Sequence, residues 1–452
     1  MPHFDLVIVG TGSGNSLVKP DFDDWQIAIV EQGVFGGTCV NVGCIPTKMF
    51  VYPADVLHAA TEWERLDLHG PAPTIDWPAL RDRIFARIDG MADSGRNYRA
   101  TGTPNVTLFE THAEFSAPRT LQLATGETLT AEHIVLAIGT RVSVPDVVAR
   151  SGVPYQTSDT IMRIDKLPER LIILGGGFVA AEFAHVFSAF GVETTVLARS
   201  GLLHHLDHEI TSRFTEIVRE RWHLHMGVRP TAVRGVAGDI TVELNDGSAV
   251  TGDMLLAATG RVPNGDRFNL AAAGVDAHPD GRIIVDEYQR TSAPGVWALG
   301  DASTEHLLKH VANHEARVVA HNLAHPDAMI ASDHRYIPAA VFTNPQVASV
   351  GLTEDEAAAT GRPYVAAMAE YGGTAYGWAM VDSSGVCKLI ADPETGLLLG
   401  AHLMGEQAAT LIQPLIQAMS FGLSVRDMDR GQYWIHPALP EVVENALLAL
   451  KL

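Results

Sequence analysis

Leu6-Val7-Ile8-Val9-Gly10-Thr11-Gly12-Ser13-Gly14-Asn15 and Leu171-Ile172-Ile173-Leu174-Gly175-Gly176-Gly177-Phe178-Val179-Ala180 carry one pattern twice. In each, four apolar residues of buried-strand type run into a glycine turn. Each copy continues through a helical stretch to a second strand, Ile27-Ala28-Ile29-Val30 in the first and Thr194-Thr195-Val196-Leu197 in the second. Each then closes on a third apolar strand, at residues 134–139 and 254–260. A strand delivered to such a turn suits a dinucleotide. The first glycine permits the tight turn, the second lets a pyrophosphate reach the backbone, and the helix start offers free N–H groups. Gly10, Gly12, Ser13 and Gly14 fill these positions in the first copy, Gly175 and Gly177 in the second. The expected fold is α/β, with two Rossmann-like dinucleotide-binding domains.

Outward from the two loops, the strand ends distinguish the nucleotides. Glu31 closes the second strand of the first copy, where a carboxylate accepts both ribose hydroxyls of an adenosine. The matching strand of the second copy ends in Ala198-Arg199, and a cation there suits a 2′-phosphate, so NADPH is expected rather than NADH. Residues 295–301 read as a return to the first unit, and from about Tyr336 prolines, β-type runs and two amphipathic helices (around 407–421 and 438–450) suggest a separate α+β domain. The expected divisions are 1–150 with the return segment 263–333 for the first dinucleotide, 151–262 for the second, and 334–452 for the last domain.

The 452 residues exceed what one core serves, and 41 glycines with 46% apolar residues fit a globular α/β chain. A formal net charge of -21 argues against nucleic acid or an anionic membrane as partner. Three cysteines are too few for a secreted disulfide framework. The N-terminus reads directly as a strand rather than a signal peptide, and no stretch has the roughly 18 apolar residues of a spanning helix. A cytoplasmic protein is expected, where a disulfide is more often catalytic than structural.

Cys39 and Cys44 then stand out. On a regular helix their spacing sets them about 140° apart, the wrong geometry for a bond. Pro46 frees the carbonyl four residues earlier and Gly43 tolerates unusual dihedrals, so a distorted first turn can bring the sulfurs together. A zinc site would want four ligands, and the remaining cysteine, Cys387, lies far along the chain.

Gly36-Gly37-Thr38-Cys39-Val40-Asn41-Val42-Gly43-Cys44-Ile45-Pro46-Thr47-Lys48 resembles the active-site motif of the glutathione reductase and dihydrolipoamide dehydrogenase family. Thr291-Ser292 through Gly300-Asp301 resembles that family's second FAD motif. Ala258-Thr259-Gly260-Arg261-Val262-Pro263-Asn264 resembles its central motif, and His436-Pro437-Ala438-Leu439-Pro440-Glu441 its C-terminal catalytic segment. The resemblance covers the whole chain in order. It implies FAD and NADPH as cofactors, with Gly37, Thr38, Ala113, Gly139, Arg261 and Asp301 among the FAD contacts, and a C-terminal dimerisation domain. It implies that Cys39 is the exposed thiol attacking a substrate disulfide, that Cys44 faces the flavin, and that His436, oriented by Glu441, shuttles the proton from the partner subunit of a homodimer. Lys48 and Glu182 match the family's ion pair beside the flavin, and the helix starting near Leu307 is expected to aim its N-terminus at the ring. Asn15 departs from the third glycine, Phe178 replaces a tyrosine that gates the nicotinamide pocket, and His204 stands where NADPH-using relatives carry a second arginine.

Glutathione disulfide carries carboxylates and wants cations. The stretch after Asn15 is short and acidic, which favours a small disulfide without carboxylates, such as mycothione. Arg317 resembles a substrate arginine of glutathione reductases and keeps that alternative open, whereas Arg199 disfavours a dihydrolipoamide dehydrogenase. A flavoprotein scaffold without turnover belongs to a different class, and the filled catalytic positions weigh against it. His306, His310 and His314 share an i, i+4 spacing that reads as a solvated helix face rather than a metal site.

Overall fold

The computed structural model describes residues 1–452. The chain forms two compact units: Met1–Thr47, Pro78–Ser143 and Gly260–His334 make the first, Lys48–Trp77, Val144–Thr259 and Arg335–Leu452 the second.

In the first unit, strand His3–Val9 lies at the centre of a sheet, parallel to Ile27–Val30 on one side and to Thr128–Leu136 on the other. Val106–Phe109 extends the sheet beyond Ile27–Val30, and Val296–Ala298, arriving late in the chain, pairs with Thr128–Leu136. Leu6, Ile8, Ile27, Ile29 and Val135 are fully buried, the near-continuous apolar reading of parallel strands covered on both faces.

The second unit repeats the arrangement. Arg170–Leu174 lies between Glu193–Ala198 and Met254–Ala257, all parallel. An antiparallel three-stranded sheet, Pro230–Val236, Asp239–Leu244 and Ala249–Gly252, is inserted before the closing strand. Its hairpin turns through Gly247 at φ +86°, as the Asn245-Asp246-Gly247 signal requires. The same unit holds an antiparallel five-stranded sheet from Ala339–Val341 to Leu398–Gly405, against which helix Glu441–Ala449 packs Val442, Val443, Ala446 and Leu447. The amphipathic stretch around 407–421 is two helices, Ala408–Leu411 and Gln413–Phe421, with Pro414 in the first turn of the second.

One expectation fails. The first glycine loop is followed not by a regular helix but by two 3-10 turns, Gly14–Leu17 and Pro20–Phe22. Pro20 cannot continue a helix, and few residues remain before the next strand at Ile27. No helix of the chain is long and apolar enough to cross a membrane.

Candidate active site

The two glycine loops are built alike. Gly10 has φ +103°, and a Cβ there would stand 2.4 Å from the Ala137 carbonyl oxygen; Gly175 has φ +132°, and its Cβ would stand 2.2 Å from that of Ala258. In both, the turn passes so close to the closing strand that only glycine fits. A Cβ on Gly177 would meet nothing, which leaves an open backbone face at the start of helix Phe178–Ala189. In the first loop a Cβ on Gly37 would lie 2.7 Å from the Cα of Gly12, so the cysteine segment and the loop touch backbone to backbone.

Asn15 does not loosen this loop. Gly14 does the close packing one residue earlier, where a Cβ would lie 2.7 Å from that of Ala137 and 2.9 Å from Ile8 Cγ2. Asn15 instead accepts from Arg99 Nε at 2.8 Å through its side chain and from the same guanidinium at 3.1 Å through its carbonyl. Arg99, on helix Trp77–Thr101, was not singled out by the sequence; it bridges elements far apart in the chain. Glu31 accepts from Thr11 N and Oγ1 at 2.9 and 2.7 Å with one oxygen and from Gly33 N at 2.8 Å with the other. Ser13 Oγ accepts from Lys309 Nζ at 2.7 Å. Ala113 is buried at the start of a strand, and Gly139 turns at φ +59°. Arg261 donates to Thr140 Oγ1 at 2.6 Å and to its carbonyl at 2.9 Å, and Thr140 Oγ1 donates to Asp301 at 3.3 Å. Burial pushes the Asp301 carboxyl up, and the Arg261 charge opposes that rise.

In the second unit Arg199 is exposed just past Glu193–Ala198, Phe178 is 37% exposed, and His204 is exposed with its ring edge-on to His205. Arg317 is exposed on helix Lys309–Ala324. His306 lies outside that helix, so the three histidines do not share one helical face. His314 Nε2 accepts from Asp333 N at 3.1 Å.

The cysteines sit at a break between two helices, Gly37–Asn41 and Cys44–Thr61, rather than in one distorted turn. Gly36 and Gly37, at φ +105° and +68°, start the first helix. Asn41, buried, donates to the carbonyls of Val34, Phe35 and Gly37 at 3.3, 3.0 and 3.0 Å and fixes the loop. The need for Gly43 is spatial, not dihedral: a Cβ would lie 2.9 Å from the Thr38 carbonyl oxygen, and its φ is not left-handed. Thr47 caps the Gly43 carbonyl through Oγ1 at 2.7 Å. A hydrogen bond to Cys44 pushes the Cys39 thiol well up, burial and the Cys44 charge add to it, and the Lys309 ammonium opposes them. Exposure runs opposite to expectation, since Cys44 is exposed at its helix start and Cys39 half-buried within the short Gly37–Asn41 helix.

Lys48 Nζ donates to both carboxylate oxygens of Glu182, at 2.7 and 2.6 Å, and lies 4.4 Å from the Phe342 ring centroid. Glu182 also accepts from Phe342 N at 3.0 Å. Three residues on, the buried His185 has Nε2 2.7 Å from Asp55, a second tie from helix Phe178–Ala189 to helix Cys44–Thr61 that the sequence did not announce. His436 Nδ1 lies 2.6 Å from Glu441, whose other oxygen accepts from Ala438 N at 3.2 Å. That hydrogen bond to His436 holds the Glu441 carboxyl below its ordinary range, and the imidazole is 70% exposed.

This arrangement can bind two dinucleotides and present a paired thiol. Comparison with known proteins agrees. The sequence model of the pyridine nucleotide-disulphide oxidoreductases matches residues 4–317, and that of their dimerisation domain matches residues 337–447. The chain is 53% identical to the mycothione reductase of Mycobacterium tuberculosis across 100% of both chains. It is 31% identical to the glutathione reductase of Burkholderia cepacia, with 97% of each covered. The solved structure of the HOCl-induced flavoprotein disulfide reductase RclA from Escherichia coli superposes with a TM-score of 0.87 at 25% identity, covering 98% of this chain and 99% of that one. The chain therefore belongs to the pyridine nucleotide-disulphide oxidoreductases, enzymes that join a flavin and a nicotinamide nucleotide to a redox-active cysteine pair, here Cys39 and Cys44.

Proposed function

We propose that the chain reduces mycothione to mycothiol with NADPH, by way of FAD, as a cytoplasmic homodimer. The observation that carries this reading is full-length identity of 53% to a mycothione reductase, alongside a cysteine pair held at a helix break. The chain's residues fit the cofactors. Gly12 and Gly37 meet with no side chain between them, and Gly177 leaves its backbone open to a second pyrophosphate. Gly10, Ser13, Gly14, Glu31, Thr38, Ala113, Gly139, Arg261 and Asp301 complete the FAD set. Gly175, Phe178 and Arg199 serve NADPH, with the exposed Arg199 available to a 2′-phosphate.

Bound FAD supplies the passage of two electrons from the nicotinamide to the disulfide. The protein supplies the thiols and the protons. Lys48, gripped by Glu182, would offer a fixed cation to a bound flavin. With the pair reduced, His436 of the partner subunit takes the Cys39 proton, and the Cys39 thiolate attacks one sulfur of the substrate. The substrate S–S bond breaks, a mixed disulfide forms on Cys39, and the leaving thiolate takes the proton from His436. The Cys44 thiolate then attacks the Cys39 sulfur, restores the Cys39–Cys44 bond and releases the second half of the substrate as a thiolate, which takes its proton from water. Glu441 fixes the orientation of the imidazole through its contact with Nδ1.

The acidic first loop supports a substrate without carboxylates, and exposed Arg317 is the feature that favours glutathione disulfide instead. Purified holoenzyme supplied with NADPH and a set of disulfides separates them. Mycothione is expected to exceed glutathione disulfide and lipoamide by about a hundredfold in kcat/KM; preference for glutathione disulfide, or for NADH, overturns the reading. Cys39→Ser is expected to abolish disulfide turnover while NADPH still reduces the flavin, and turnover in that variant refutes the assigned roles.

A further inference from the structure

Glu315, on helix Lys309–Ala324, is a carboxylate with no exposed surface. One of its oxygens accepts from Gly300 N at 2.6 Å. The other stands 3.0 Å from His334 Nε2, off the line of a hydrogen bond, so what the imidazole offers there is its charge. A buried carboxylate is destabilising unless a cation stands beside it, and an imidazole is a cation only while it holds its second proton.

Gly300 opens the turn Gly300–Ala302, which follows strand Val296–Ala298 and carries Asp301. It has φ +67°, and a Cβ there would stand 3.1 Å from that of Ala312, so the turn lies directly on the helix that carries Glu315. Two carboxylates meet at this turn, and Glu315 adds to the rise that burial gives the Asp301 carboxyl. Arg261 faces Asp301, as does Lys309 at the helix start, and His334 faces Glu315. Around His334 stand Asp333 beside it, His314 from the helix and His306 from the loop before the helix, the two rings 6.3 and 6.1 Å away. Glu305 and Arg282 lie beyond His306, and Arg317 beyond His314. His314 Nε2 accepts from Asp333 N, which leaves that nitrogen without a proton. Burial pulls His306 and His314 toward the neutral form, whereas the contact with Glu315 raises the His334 imidazole above its ordinary value. Of the three rings, His334 is the one that holds the charge.

We propose that Glu315 and His334 are positioning residues for the flavin: the imidazolium holds the buried Glu315 carboxylate in place, and that carboxylate holds the Gly300 turn that presents Asp301. The proposal rests on the reading of Asp301 as a flavin contact and adds two residues behind it. When His334 loses its proton, Glu315 is left as an unpaired buried charge beside Asp301, or takes up a proton itself and accepts more weakly from Gly300 N. In both cases the turn loosens and flavin affinity falls. With the flavin released and the turn open, the imidazole returns to its ordinary value. The stabilisation is therefore complete below that value and is lost as the pH rises through the raised one.

The test is the dissociation constant of FAD from the holoenzyme, read from flavin fluorescence over a dilution series at pH values from about 6 to about 9. The wild-type constant is expected to rise about tenfold across that range, as a shift of about one unit in the His334 titration requires. His334→Gln is expected to flatten the profile near the alkaline wild-type level. Glu315→Gln, which keeps an acceptor for Gly300 N and removes the charge, is expected to flatten it as well. His306→Gln and His314→Gln keep the wild-type slope. A flat wild-type profile overturns the proposal, and so does a wild-type slope in His334→Gln. His334 is 33% exposed, so its variant decides the matter even where Glu315→Gln does not fold. If Asp301→Asn binds FAD as tightly as the wild type, the reading of Asp301 fails and this proposal with it. Weakened binding in Asp301→Asn beside an unchanged slope in His334→Gln overturns the proposal alone.

Discussion

Gly37 shows how much of the site depends on single atoms that are absent. It has φ +68°, and a Cβ would stand 2.7 Å from the Cα and 3.1 Å from the N of Gly12, backbone atoms that cannot rotate away. Gly37→Ala forces the cysteine segment off the first loop at the place where the flavin pyrophosphate is proposed to lie. The expected outcome is a folded protein with most of its flavin lost, read as a fall in the ratio of visible to ultraviolet absorbance after purification. Full flavin occupancy in Gly37→Ala would place the pyrophosphate elsewhere. Gly43→Ala meets the Thr38 carbonyl oxygen at 2.9 Å instead, a contact at the helix break. It is expected to lower stability by about 1–3 kcal/mol in urea unfolding and to slow closure of the disulfide, with flavin retained.

Helices Cys44–Thr61 and Phe178–Ala189 are tied by Lys48 to Glu182 and by Asp55 to His185. Burial pushes the His185 imidazole toward its neutral form, so its Nε2–H donates to the Asp55 carboxylate. Asp55→Ala leaves that N–H without an acceptor in a fully buried ring, and the expected loss is about 1–3 kcal/mol in urea unfolding. The double variant Asp55→Leu/His185→Leu is expected to lose less than Asp55→Ala alone, because no buried polar group is then stranded. Equal or larger loss in the double variant would show that packing, not the hydrogen bond, holds the helices. This tie was not legible in the sequence: Asp55 and His185 are 130 residues apart in chain order, and neither belongs to a motif. The parts that were legible are local. Strands ending in glycine loops announced the two dinucleotide units, since a buried parallel strand shows an apolar run and a tight turn shows glycine. The missing first helix was half legible, because Pro20 and the few residues before Ile27 forbid it, but the pattern of the second copy suggested one.

At the scale of the whole molecule, the proposed catalytic acid–base group lies open to solvent. His436 is 70% exposed, with Tyr433 at 103% and Ile435 at 73% just before it, and Phe421 and Trp378 are also bare. Apolar residues so exposed, within a region matching a dimerisation domain, belong against a partner. If His436 works across a two-fold interface, each site takes its cysteines from one chain and its imidazole from the other. Mixing a Cys39→Ser chain with a His436→Gln chain, unfolded and refolded together, then makes heterodimers in which one site has both defects and the other has none. Random pairing yields half heterodimers with one sound site of two, so about one quarter of wild-type turnover is expected from two parents that are each nearly inactive. Recovery depends on subunit exchange and must be absent when the two dimers are mixed without it. If the imidazole served its own chain's cysteines, every site in the mixture would carry one defect and no activity would return.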